Sequence, residues 1–431
     1  MDDRAAAAWL ARRVGFGHAP GELDDWAVLD AARAIDRWIE PDPDGRSPDP
    51  WAGVDLPFRR GTVEQRKQQN RQVISVWVRE LALTSRPFDE WMRWFWHGHF
   101  VSTLRVVGSP AFMAQQLRMF GELGLGDFRT LLKAVTLDAA MLVYLNGNTN
   151  AAGAINENYG REVLELFALG VGNYTERDVR AGATALTGWV VAKFDGQPRF
   201  DHRLHDDTPQ RYLGRTGVHD VDSVVDAIVA HPACAPFVAG KLARAILGPD
   251  VDPGLVTRLG REFAASGLQI RPLVRSILEA GIDGASRPLV LAPVPWAIQM
   301  VRATGVPYDE VAPSVLHMLK AAGQVPMDAP NVGGWPGGAN WLTSSVTLAR
   351  FDLAGQLAAR APRRGSGAVA AVAAIDGDDD RLADALGRAD GFTESTRSAL
   401  GALPQGEPSS RERPGESRLT IAIASPELAL A

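Results

Sequence analysis

The sequence predicts a mainly α-helical fold: one large multi-helix domain carrying a small irregular or β-hairpin flap near residues 190–216. Three observations lead there. In segment after segment the apolar residues recur every three to four positions, between capping residues, glycines and prolines. Only the stretch VVAKFDGQPRFDHRLHDDTPQRYLG breaks that rhythm, with short alternating pieces and polar turns. With 431 residues, 46% hydrophobic and 22% charged, the chain has a globular composition and enough length to bury a sizeable core.

Charge and cysteine content narrow the function classes. A net charge of -6 and the lack of a basic tract argue against nonspecific nucleic-acid binding. The single cysteine, Cys234, permits no intramolecular disulfide and no multi-cysteine metal site, and its setting HPACAPF reads as the start of a packed helix. No apolar run approaches membrane-spanning length, and MDDRAAAAWLARR lacks the apolar stretch of a secretory signal, so a cytoplasmic protein is expected.

Taken in order, residues 4–40 read as two helices, with Trp9, Leu10 and Val14 in the first and Leu29, Ala32 and Ile35 in the second. PDPDGRSPDPWAGVDLP, 41–57, is a loop rather than an element, with Trp51 to pin it. A helix is expected over 62–84, then a tryptophan-rich one in FDEWMRWFWHGHFVST, where four large aromatics within six positions imply deep packing. Further helices are expected over 111–121 and 128–145, before the turn-rich NGNTN. In 155–170 Tyr159, Val163, Leu166 and Phe167 form an apolar face, ended by Gly170. Thr175 with Asp178 resembles a capping box for the helix that follows. Beyond the flap, helical spacing returns over 221–231, 234–247 (with Lys241 and Arg244 suited to a helix C-terminal end), 255–265, 270–280, 296–303, 312–322 and 347–360. Between the last two, 326–345 is a rigid Gly- and Pro-rich loop around Trp335 and Trp341, whose glycines permit close backbone approach. Residues 4–360 are expected to form the core domain, 361–418 a peripheral and partly mobile segment, and 419–431 a C-terminal segment packing back on the core.

Three polar features carry candidate chemistry. Asn158, Glu162 and Glu165 fall on one line of the central helix, and two carboxylates three residues apart want a positive partner, a metal ion or an arginine. Glu157 and Arg161, at i and i+4, pair locally by spacing. His97 and His99 cap the tryptophan-rich helix if it is continuous, pointing roughly opposite ways. If Gly98 breaks it and the chain runs extended, they face one side, as a metal-binding or acid-base pair requires. His202, His205, Asp206 and Asp207 in the flap read on spacing alone as a solvated turn. Phosphate-binding Gly-rich loops, Gly-x-Ser-x-Gly and His-Glu-x-x-His are absent from the sequence.

RRVGFGHAPGEL at Arg12, WFWHGHFVST at Trp94, NENYGREVLELFALGVGNYTERDV at Asn156, ALTGW at Ala185, HDDTPQRYLGRTG at His205, HPACAPFVAGKL at His231 and GQVPMDAPNVGGWPGGANWLTSS at Gly323 together resemble the bacterial domain-of-unknown-function eighteen-hundred family. The resemblance runs from near residue 10 to the closing SPELAL and implies one mainly helical domain, with no activity attached. Gln210-Arg211 stands where that family usually has a Lys-Thr-like pair, so a contact made by that lysine falls to Arg211. The family motifs also place His97, His99, Asn156, Glu157, Asn158, Glu162, His205 and Asp206 in their most characteristic segments, which favours one shared site.

Two functions compete. The first is an enzyme whose catalytic groups are His97, His99, Glu157, Glu162, His205 and Asp206, with a divalent metal ion on His97, His99, Glu162 and His205 activating water or oxygen, and Asn156, Asn158, Tyr159, Arg161 and Glu165 around it. The second is a noncatalytic binding or assembly protein that uses Trp335, Trp341 and the Gly-rich loop to recognise a substrate or protein partner.

Overall fold

The computed structural model describes residues 1–40, 49–56, 62–192, 195–363, 368–375, 378–403 and 415–431. It is built mainly of α-helices around one continuous core, with two small two-stranded sheets at the flap.

The N-terminal helix Asp3–Val14 starts at an Asp2 cap and buries Trp9, Leu10 and Val14, as its spacing predicts. Two further helices, Glu22–Trp26 and Ala31–Ile39, replace the single one expected there, because Asp30 caps the backbone at Arg33 and starts the last of them after Leu29. The expected loop 41–57 lies partly outside the described residues. Within it Trp51 is buried, and its indole N–H donates to the Val73 carbonyl at 3.2 Å. Thr62 and Gln65 form a full capping box on Val63–Leu83. The segment expected as one helix over 128–145 is two, Phe128–Thr136 and Ala139–Tyr144, since Asp138 caps the second by accepting from Met141 N–H.

The central helix departs from simple periodicity. It runs as an α-helix only over Asn158–Glu162 and widens to a π-helix over Val163–Ala168, where Leu169 N–H reaches back five residues to the Leu164 carbonyl. The extra residue per turn buries Leu164 beside the expected Tyr159, Val163 and Phe167 and leaves Leu166 half-buried. Gly170 ends it at φ +82°, close under the Phe237 ring. The Thr175–Asp178 capping box then opens Glu176–Ala185.

The flap is two antiparallel hairpins. β1 (Trp189–Val191) pairs with β2 (Pro198–Phe200), and β3 (Gln210–Tyr212) with β4 (Arg215–Val218). Leu213 and Gly214 both take positive φ in the tight turn of the second hairpin, and Tyr212 is pressed against Gly182 of the preceding helix. In the C-terminal half Cys234–Leu247 packs on Pro253–Ala265, and Ser344–Arg360 on Glu416–Ile423. The last residues pair with 289–291: Leu291 N–H donates to the Ala429 carbonyl and Ala431 N–H to that of Leu289, both at 2.9 Å. Parts of the segment 361–418 fall outside the described residues; within it Val369–Ala373, Asp379–Ala385 and Glu394–Gly401 are helical. Among the described residues no single helix is long and apolar enough to cross a membrane. The pair Val221–Val229 and Cys234–Leu247 reaches that standard only together and is bent by 73°.

Candidate binding cleft

The tryptophan-rich helix runs unbroken over Pro87–His99, through Gly98. Two residues on, a helix has turned about 200°. His97 and His99 therefore leave on nearly opposite sides, and the extended alternative is corrected. Nε2 of His97 accepts the N–H of Met327 at 3.1 Å, so Nδ1 carries the ring proton. Among the described residues that proton has no acceptor; the rings of Trp77, Trp94 and Trp335 surround the imidazole. Met327 is buried at φ +63° and its carbonyl accepts from Leu104 N–H, so His97 fastens a strained turn of the Trp/Gly-rich loop to the core. On the other side His99 donates from Nε2 to the Phe167 carbonyl at 2.9 Å, in the wide turn of the central helix. Burial drives the pKa of each down to about 3, and the Lys241 charge adds to the effect at His99. Both are neutral rings at physiological pH.

Most of the remaining expected residues make local contacts. Arg161 joins Glu157 (3.4 Å) and Glu176 (2.6 Å) in a surface ion network. Asn156 accepts from Asn158 N–H at 3.0 Å to shape the turn before the helix, and the Tyr159 hydroxyl meets that of Thr136 at 2.8 Å inside the core. In the flap, His205 donates from Nδ1 to the Thr187 carbonyl at 3.0 Å, and Asp206 N–H donates to Thr187 Oγ1 at 2.8 Å, so this pair pins the hairpin connection to buried Thr187. Glu165 accepts from the Tyr174 hydroxyl at 2.9 Å. Glu162, half-buried, makes no hydrogen bond or ion pair among the described residues, and burial together with Glu165 raises its pKa. No group of three or more His, Cys, Asp and Glu side chains among the described residues is placed to hold a metal ion, and His97, His99, Glu162 and His205 form no such group.

What the fold does create is a cleft of about 480 Å³ between the tryptophan-rich helix and the Trp/Gly-rich loop. Trp91, Trp94, Phe95, Gly98 and His99 supply one wall; Gly333, Trp335, Gly338 and Trp341 supply the facing one. Trp94 and Trp335 stack across it, with centroids 5.4 Å apart and planes 17° from parallel. Arg12, Arg13 and Lys241 also line the cleft, and among the described residues no carboxylate does. Arg13 is held by the carbonyls of Ile246 and Arg287, and Arg12 by that of Gly387. Desolvation lowers both pKa values, to about 9 for Arg13, where repulsion from Arg12 and then Arg388 adds to it, and to about 10 for Arg12, where Arg388 adds. Lys241 makes neither ion pair nor hydrogen bond among the described residues; its ammonium lies 5.4 Å from the centre of the Phe237 ring. Partial burial, then Arg244, brings its pKa below the ordinary lysine value. The helix Pro293–Thr304 begins at the cleft too but offers no free donor there, because Pro293 and Pro295 lack an N–H and that of Val294 donates to Gln324 Oε1 at 2.8 Å.

The model of a family described as a protein of unknown function, DUF1800, matches residues 9–430. The chain belongs to the DUF1800 family. No curated protein and no solved structure matches it.

In this DUF1800 chain the RRVGFG, WFWHGHF, HPACAPFVAGKL and GGWPGGANW motifs, far apart in sequence, all send residues to the cleft. Of the expected site residues the cleft gathers His99, Trp335 and Trp341. Arg12, Arg13, Trp91, Phe95 and Lys241 were not among them. Their signal was faint: Lys241 reads equally well as a cation suited to a helix C-terminal end, and Trp91, Phe95 and His99 at i, i+4 and i+8 read as core.

Proposed function

We propose that this DUF1800 protein binds a small ligand that combines an acid group with an apolar body, in the cleft between the tryptophan-rich helix and the Trp/Gly-rich loop. The observation that carries this is the lining: aromatic walls, three cations and no carboxylate. Positive charge left without a counter-charge in a partly desolvated site is costly, and an incoming anion removes that cost. The indole N–H of Trp335, buried with no acceptor among the described residues, asks for the same kind of guest. A resident metal on His97, His99, Glu162 and His205 has no comparable support, since among the described residues these side chains form no group of three or more placed to share one ion. The noncatalytic binding reading is therefore preferred. With one buried, unpaired thiol, the cytoplasm is the compartment we propose.

Titrating the intrinsic tryptophan fluorescence with 8-anilinonaphthalene-1-sulfonate and with its uncharged parent amine tests this. The sulfonate is expected to bind at least tenfold tighter, and Lys241→Glu to cost it about tenfold, near 1.4 kcal/mol. Equal affinity for both probes, with no effect of Lys241→Glu, would overturn the proposal.

A further inference from the structure

The cleft follows a single stripe of the tryptophan-rich helix. Trp91, Phe95 and His99 stand at i, i+4 and i+8 and all line it. Their rings form a row: Trp91 and Phe95 have centroids 5.9 Å apart and planes 14° from parallel, and Phe95 and His99 repeat this at 5.9 Å and 10°. Eight residues of helix rise about 12 Å. Both walls of the cleft carry glycine where other residues would project. A Cβ placed on Gly98, Gly337 or Gly338 would meet nothing within 4 Å, so unfilled space lies directly over the backbone. Lys241 lies at the His99 end of the row: it lines the cleft from the helix Cys234–Leu247, which packs on the wide turn Val163–Ala168 whose Phe167 carbonyl accepts from His99. Arg12 and Arg13 are anchored to backbone carbonyls. Among the described residues such a site has one cation without a partner, Lys241, and one aromatic track of finite length.

Building on the proposed function, we infer that the ligand is a single-headed, straight-chain carboxylic acid of about ten carbons, its acid group at Lys241 beside His99 and its chain laid along the row towards Trp91. An extended chain of about ten carbons matches the roughly 12 Å of helix face. Each further carbon within that length adds about a fourfold gain in affinity, and carbons beyond it add none. A neutral His99 whose Nε2 donates to Phe167 keeps Nδ1 as an acceptor, so Lys241 rather than the histidine holds the acid.

The test is isothermal calorimetry of the full chain with saturated acids of six to sixteen carbons, below their micelle-forming concentrations, and with decanol, repeated on Lys241→Ala. Lys241 is exposed in the cleft, and replacing it leaves the core intact. Affinity is expected to climb from six to about ten carbons and then level off or fall, with decanoate at least tenfold above decanol in the natural protein and equal to it in Lys241→Ala. A climb that continues unchanged to sixteen carbons, or no dependence on length, would overturn the inference while leaving the proposed function standing. So would a failure of every straight-chain acid when the anilinonaphthalene sulfonate still binds in a Lys241-dependent way. If neither kind of anion binds, the proposed function falls with it.

Discussion

At the scale of single residues, the two histidines of the tryptophan-rich helix hold the structure in ways their sequence spacing leaves open. His97 accepts from a backbone N–H in a strained turn, so His97→Ala removes that acceptor and opens a cavity among three tryptophans. A loss of about 2–4 kcal/mol in urea unfolding is expected. Acid behaviour follows from the same burial. Folded His97 and His99 have pKa values near 3 against about 6.5 unfolded, so between those values the unfolded chain binds more protons, and stability falls as pH drops through this window. Asp138, raised to about 7 by burial, works the other way, since folding takes up its proton and its contribution is lost as pH rises. Unfolding measured from pH 7 down to pH 4 should therefore show falling stability in the natural protein. His97→Gln with His99→Gln should flatten or reverse that slope; an unchanged slope would mean that neither ring is held neutral. Cys234, fully buried with its pKa pushed up to about 12, should react with a thiol reagent only in denaturant. Rapid labelling of the native protein would contradict its packing.

Among the elements, the continuity of Pro87–His99 is the fact on which the site turns. Gly98 lies in a regular helix with open space where a Cβ would go, so Gly98→Ala should raise stability by about 0.5–1 kcal/mol. A helix broken at Gly98 would give no such gain. Gly334 is the counter-example: it takes φ +87° and a Cβ there would sit 2.9 Å from the Gly98 carbonyl, so Gly334→Ala should cost about 1–3 kcal/mol by pushing the loop off the helix. The helices were legible in the sequence because periodicity and capping are local: the box expected at Thr175 forms, and Thr62, where a helix was expected to begin, caps one with Gln65. The wide turn over Val163–Ala168 was not legible, since a 3.6-residue reading of NYGREVLELFALG is nearly as consistent; the carbonyl that His99 meets there is a tertiary matter. His97 and His99 stand out in the sequence as a His-x-His pair, yet their partners, Met327 N–H and the Phe167 carbonyl, are backbone groups 230 and 68 residues away. Side-chain types in a sequence do not reveal such partners.

For the whole molecule, four motif-bearing segments and the stretch 289–295, far apart in sequence, line one cleft, and its cations come from the first helix and from Cys234–Leu247. That convergence could not be read from spacing, because Arg12 and Lys241 are brought together only when the core forms. The central claim is that the cleft between the tryptophan-rich helix and the Trp/Gly-rich loop is where a ligand with an acid group and an apolar body binds. Amide hydrogen exchange with and without saturating decanoate or anilinonaphthalene sulfonate, whichever binds, tests it most directly. Binding there should slow exchange in the loop over 332–341 and around Lys241, while the flap hairpins β1–β2 and β3–β4 stay unchanged. Protection confined instead to the smaller hollow around Trp26, Trp38 and Phe88, or spread evenly over the chain, would contradict it.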